Sequence, residues 1–296
     1  AITAATLDLN GGASYTLETV TNDVATLSGS TTTAVSYVDA NAFDVAGLNA
    51  TSVTLSSDSG VETVTQSGAI TTGTLVLDGA GTSYTLMNAD NEITTLDADN
   101  AALGALSYVD ATGFAIAGIN ATATTLRSES GVDTVTQSGA ISTGALVLNG
   151  AAGTTYALGD VTNAVTSLDA DNAQLAALTF VEADGYDILG IDASDLMMLT
   201  TMAGAVTQSA AITAATLDLN GGASYTLEMV TNEVAVLSGS TTSAVRYVDA
   251  NAFEVGGLNA TSVTLSSDSG ADTVTQSGAI GTGALVLNGA AGTTYA

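Results

Sequence analysis

The pentapeptide Gln-Ser-Gly-Ala-Ile stands at residues 66–70, 137–141 and 276–280, and once more as Gln-Ser-Ala-Ala-Ile at residues 208–212. The chain also opens on Ala1-Ile2, the last two residues of that phrase. The Ala-Ile pairs begin at 1, 69, 140, 211 and 279, dividing the sequence into copies 1–68, 69–139, 140–210 and 211–278 and a partial copy 279–296. A repeat of this kind predicts an architecture that is stabilised by stacking, and a function carried by length and surface rather than by one pocket.

Copies one and four differ at nine positions over 68 residues. Copies two and three, of 71 residues each, share the run Leu-Asp-Ala-Asp-Asn-Ala at 96–101 and 168–173. A larger period of 210 residues thus overlies the copy. The sequence begins inside one motif, without Met, and stops inside another. It reads as a fragment of a longer chain.

Composition narrows the function classes. There is no Pro, Cys, His, Trp or Lys, and Arg127 and Arg246 face 30 Asp and Glu for a formal charge of −28. With 46% hydrophobic residues and a mean hydropathy of +0.39, the chain is too apolar for a disordered acidic tail. It predicts a folded body under an acidic skin. Nucleic acid is excluded as a partner, because binding it needs Lys and Arg to neutralise phosphates. An anionic membrane surface repels such a chain. No apolar run is long enough for a membrane-spanning helix, so membrane insertion is not expected. The most apolar stretch, residues 196–206, is broken by Thr and Gly and predicts buried core. Without Cys there is neither disulfide nor thiol chemistry.

Short runs of alternating apolar and polar residues, such as Thr-Leu-Asp-Leu at 6–9 and Ser-Val-Thr-Leu at 52–55, end in Gly, Asn or Asp. Alternation of this kind is the strand signature, and the clusters that end it are turns. The chain therefore reads as all-β. From Tyr37 to the next Ala-Ile is 32 residues, and Tyr108, Phe180 and Tyr247 keep 32, 31 and 32. The extra residues of copies two and three fall earlier, at 78–83 and 97–103, as insertions in turns would. Separate sandwich domains and a continuous solenoid both fit the strand pattern. A sandwich of this size needs a large-residue core, yet the 13 aromatics occupy only three positions of the copy. A solenoid needs less, since each coil is covered above and below. The expected fold is one continuous parallel β-helix over residues 1–296, with about three coils per copy, each of roughly 20–25 residues.

An ordered set of motifs recurs in the four copies: Asn22-Asp23, Leu27-Ser28-Gly29, Val38-Asp39-Ala40-Asn41-Ala42, Gly47-Leu48-Asn49-Ala50-Thr51, Val53-Thr54-Leu55 and the pentapeptide. The set resembles the repeats of filamentous-haemagglutinin-type exoproteins, the large adhesins of bacterial two-partner secretion. The resemblance implies a right-handed parallel β-helix (β-solenoid), an extracellular or bacterial cell-surface location, and a role in adhesion, aggregation or biofilm matrix. The family's N-terminal secretion domain does not lie within these residues. The implied function is a structural repeat segment of an extracellular fibre. The alternative is a glycan- or receptor-binding module on a β-helix stalk.

Candidate chemistry is sparse. No His and no Cys removes the common general base and the thiolate nucleophile, and no Lys removes Schiff-base chemistry. The acids recur as repeats rather than as one singular constellation, so no enzyme is expected and no catalytic or cofactor-binding residue is assigned. Asp97, Asp99, Asp169 and Asp171 set alternating oxygens along extended runs, a donor type suited to Ca²⁺. Asn-Ala-Thr triplets at 49–51, 120–122 and 259–261 match a glycosylation acceptor and equally suit a turn. The partners expected are other copies of the chain, in fibres or bundles that cations assist, and cell-surface or matrix glycans.

Overall fold

The computed structural model describes residues 1–296. It contains 27 strands and no helix. The strands pair in parallel at a spacing of about 20 residues, as in Thr3↔Asp23 and Thr95↔Ala115, giving a β-solenoid of about 15 turns along the chain. The chain divides into two compact bodies, Ala1–Leu146 and Val147–Ala296.

In the first body each turn presents two strand segments, separate in Thr3–Gly11 and Tyr15–Leu17 and joined in long strands such as Asp44–Ser57. The period-2 pattern puts every second residue inside: in Ala34–Asp39, Val35, Tyr37 and Asp39 point inward. Like residues then stack along the axis. One row runs Tyr15, Val35, Val53, Leu75, Leu96, Ile116. The row on the other strand begins Leu7, Leu27, Val45. Each fully buried side chain of this size contributes about 1.5–3 kcal/mol relative to exposure.

The rows sharpen the expected count of about three coils per copy. Leu75 is the copy-two counterpart of Leu7, yet it continues the row of Tyr15. The second body repeats this: the row Tyr156, Leu178, Met197 runs into Leu217, the copy-four counterpart of Leu7. Copies of 68–71 residues wound at about 20 residues a turn take about three and a half turns. Successive copies therefore present equivalent residues on opposite strands of the turn. Both strands make the same demand, an apolar residue at every second position, so a half-turn offset costs nothing in packing.

Other expectations shift in detail. The insertion near 97–103 sits inside the strand Glu92–Asp110, as a register break between Ala98 and Leu103, and copy three matches it between Ala170 and Leu175. Residues 196–206 are not a buried run: Met197 and Leu199 point inward while Met202 is half exposed. The triplet asparagines Asn49, Asn120 and Asn259 lie within strands rather than turns.

The rings of the second and third aromatic positions of each copy pack in pairs. Tyr37–Phe43, Tyr108–Phe114, Phe180–Tyr186 and Tyr247–Phe253 form edge-to-face pairs with centroids 5.3–5.4 Å apart. Such pairs contribute roughly 0.5–1.5 kcal/mol beyond area burial.

Candidate functional site

The repeated phrase marks a corner where three turns are tied together. Gln66 donates from Nε2 to Asn91 Oδ1, and its Oε1 accepts from Asn88 N–H at 3.1 Å and Asn91 Nδ2 at 3.2 Å. Asn91 Oδ1 also accepts the N–H of Ile70 at 2.8 Å, while its Nδ2 donates to Val109 O at 2.9 Å and Leu86 O at 3.4 Å. One side chain thus joins the turn before it, its own turn and the turn after. Asn232 repeats the set with Gln208, Ile212, Val248 and Leu227. Asn22 joins Ile2, Leu17 and Val38 in the same way, and Asn163 donates to Val181 O. All four asparagines are buried.

The rest of the phrase has local duties. Ser67 and Ser209 donate to the carboxylates of Asp44 and Asp187 one turn back, and Ser277 to Glu254. A Cβ at Gly68 would stand 2.3 Å from the carbonyl oxygen of Ala46 and at Gly139 1.7 Å from that of Ala117, closer than side chains approach backbone. Nothing in the structure explains why copy three carries Ala210 in this slot.

Beside each tie lies a buried acid, which corrects the expectation that the acids form only a skin. Asp39, Asp110, Glu182 and Asp249 are at most 1% exposed. Asp110 accepts the N–H of Ile93 at 3.0 Å, both the N–H and the hydroxyl of Thr112, and the hydroxyl of Tyr108. Asp39 and Asp249 repeat this with Val24 and Val234, with Asn41 and Asn251, and with Tyr37 and Tyr247. Copy three departs from the pattern. Phe180 lacks the hydroxyl, Glu182 replaces the aspartate, and the buried hydroxyl of Tyr186 makes no hydrogen bond. Burial raises Asp110, Asp249 and Glu182 above their ordinary carboxylate values despite these donors.

Outside the buried acids, the corner opens into a groove. In copy two it encloses about 400 Å³ over Ile93, with Thr71, Thr72, Thr94 and Thr112 on its walls. Copies three and four hold smaller grooves of about 220 and 230 Å³ over Val165 and Val234.

The four aspartates singled out for calcium form two separate pairs. Asp97 accepts from Asn100 Nδ2 at 3.3 Å, and the carboxylate of Asp99 lies over Gly118, where a Cβ would be 2.2 Å from Oδ2. Asp169 accepts from Asn172 Nδ2 at 3.0 Å, and Asp171 lies over Gly190 in the same way. Partial burial first, then the neighbouring acid, raises Asp97 and Asp171 above the ordinary value. No group of three or more acids converges into a ligand set.

Arg127 makes a half-buried pair with Glu129 at 2.8 Å, and Arg246 makes an exposed pair with Glu228 at 2.6 Å. Copy one solves the second position differently: Ser36 donates to Glu18 at 2.6 Å. Exposed pairs of this kind contribute little. Arg246→Ser is therefore expected to leave the thermal midpoint unchanged, and a clear drop in a melting curve would contradict this.

The strands and turns follow from the alternation of apolar and polar residues. The buried Asn and acid at each corner were missed, although both recur at fixed places in the copies. No family model matches the chain, no curated protein is similar to it, and no solved structure matches it, so the corner ties and the stack they hold are what a functional reading has to rest on.

Proposed function

We propose that this chain is a structural repeat segment of an extracellular bacterial fibre or adhesin, providing length, stiffness and an acidic surface for adhesion, aggregation or biofilm matrix. The observation that carries the reading is the corner tie, in which a buried asparagine of copies one, two and four bonds three successive turns. The polar investment of the fold goes into holding turn to turn, and it recurs with the copy instead of converging on one place. Such a stack resists bending and local opening along its axis.

The surface supports the partners in this reading. A formal charge of −28 makes like chains repel, so lateral association needs salt or divalent cations to screen it. The acid pairs 97/99 and 169/171 are the places where such cations gather. The hydroxyl-lined groove over Ile93 favours the second reading, recognition of an uncharged glycan.

Electron microscopy of the native material tests the first reading. Stiff fibres with an axial rise of about 4.8 Å per turn are the expected result. Globular beads on a flexible string would overturn it. A calcium titration read by light scattering separates the cation terms: gradual bundling at millimolar levels fits screening, and saturation at micromolar levels fits dedicated sites.

A further inference from the structure

We propose that Asn149 is a site of spontaneous covalent modification, where the backbone nitrogen of Gly150 closes a succinimide and converts the amide to aspartate or isoaspartate. Asn-Gly occurs four times, at residues 10–11, 149–150, 220–221 and 288–289. The structure does not treat the four alike.

At Asn149 the N–H of Gly150 is directed at Oδ1, 2.7 Å away. That places the nitrogen beside Cγ, the carbon bonded to this oxygen, with no Cβ on Gly150 to obstruct the approach. Tyr156 donates its hydroxyl to Asn149 O at 2.6 Å, as Tyr15 does to Asn10 O at 2.6 Å and Tyr225 to Asn220 O at 2.7 Å, so the sites differ only at the side-chain amide. Reacting atoms held at near-contact distance convert ground-state order into rate. Asn10 is held differently. Its Nδ2 donates to Asp8 at 2.6 Å and its Oδ1 accepts the N–H of Ser30, one turn on, at 3.2 Å. Asn220 is tied the same way to Asp218 at 2.8 Å and Ser240 at 3.1 Å. Both ends of those amides are occupied by partners other than the following glycine.

The chemistry balances with water alone. Solvent hydroxide takes the proton of Gly150 N, and the nitrogen attacks Asn149 Cγ, forming a C–N bond. The Cγ–Nδ2 bond breaks, the leaving nitrogen takes a proton from water and departs as ammonia, and hydroxide is regenerated. Water then opens the ring at either carbonyl. The fold accepts the aspartate product, because copy two already carries it. Asp78-Gly79 occupies the same turn, with Gly79 N–H on Asp78 Oδ1 at 2.7 Å and Tyr84 on Asp78 O at 2.6 Å. In a long-lived chain, Asn149 would thus move copy three toward the acidity of copy two.

The test is to hold the folded 296-residue chain in mildly alkaline buffer. Samples taken over time are cut with an Asp- and Glu-directed protease, and the amide-to-acid mass gain is read at each Asn-Gly. Asn149 is expected to convert on the order of tenfold faster than Asn10 and Asn220, the factor that about one net hydrogen bond supplies. Equal rates, or an intact Asn149 beside converted Asn10 and Asn220, would overturn the proposal. A variant checks the cause: Asp8→Ala frees Nδ2 of Asn10 and should raise its rate toward that of Asn149. An unchanged rate there would equally count against it.

Discussion

Replacing Asn91 by alanine is expected to cost about 3–5 kcal/mol, more than any other single side-chain truncation at the corner. The substitution removes little apolar surface. It leaves Ile70 N–H, Val109 O and Leu86 O without partners, and it strips Gln66 of the group it holds. Ile70 and Asn91 are fully buried, so water cannot reach these groups unless the turns part. Each orphaned buried group costs roughly 1–3 kcal/mol. A total of that size approaches the whole stability of a small domain. In a stack, where each turn meets only its neighbours, the damage should stay local. Hydrogen exchange should therefore show protection lost at Ile70 and over the turns on either side, with distant turns unchanged. Asn91→Asp is a sharper control: the carboxylate still accepts from Ile70 but cannot donate to Val109 or Leu86. It should fall in the same range as the alanine variant. A loss below about 1 kcal/mol in urea unfolding would mean that the tie does not hold the turns.

Much of this was readable from the residues, and the boundary of what was readable has a physical cause. Strands and their inward faces follow from alternation, so the parity that buries Val53 and Leu55 in the run 52–55 was readable from the residues. By the same parity Asp39, two residues after Tyr37, has to point inward. The expectation of an acidic skin passes over it because a charge is usually solvated, and the structure shows the donors that make its burial tolerable. Asn22 and Asn91 lie at corners, where no periodicity says which way a side chain faces. Only the turn-to-turn register reveals that Ile70 N–H and Val109 O flank one amide. The half-turn offset between copies was hidden for a related reason. The sequence marks strands and turns but not which strand of the next turn a residue meets, and that is a property of the closed coil.

Stability should rise, not fall, as the solution is acidified from neutral pH toward about pH 4. Most folded proteins lose stability in acid because their carboxylates are held as anions. Here Asp110, Asp249 and Glu182 are raised above ordinary values of 3.8 for aspartate and 4.5 for glutamate, with burial as the largest cause. A raised carboxylate binds its proton more readily in the folded state than in the unfolded chain. Its contribution is complete below the ordinary value and is lost as pH rises through the folded value. Neutral pH is therefore the costly side of the titration for these three groups. Relief of self-repulsion among 30 acids acts in the same direction. Asp160, lowered by the Thr162 hydroxyl and N–H, acts the opposite way but is a single exposed cap. The urea midpoint should accordingly move upward on acidification, and a flat or falling midpoint would refute the account. Tyr108→Phe identifies the group responsible. The Tyr108 hydroxyl lowers Asp110, so removing it should raise that carboxyl further and extend the pH dependence toward neutrality. The variant's deficit should be largest at neutral pH, where the anion has lost a donor. It should shrink in acid, where the protonated group no longer needs that donor. Copy three already carries that arrangement, with Phe180 beside Glu182 and no tyrosine hydroxyl on the acid. Its turns should be the ones whose hydrogen-exchange protection gains most from a drop in pH.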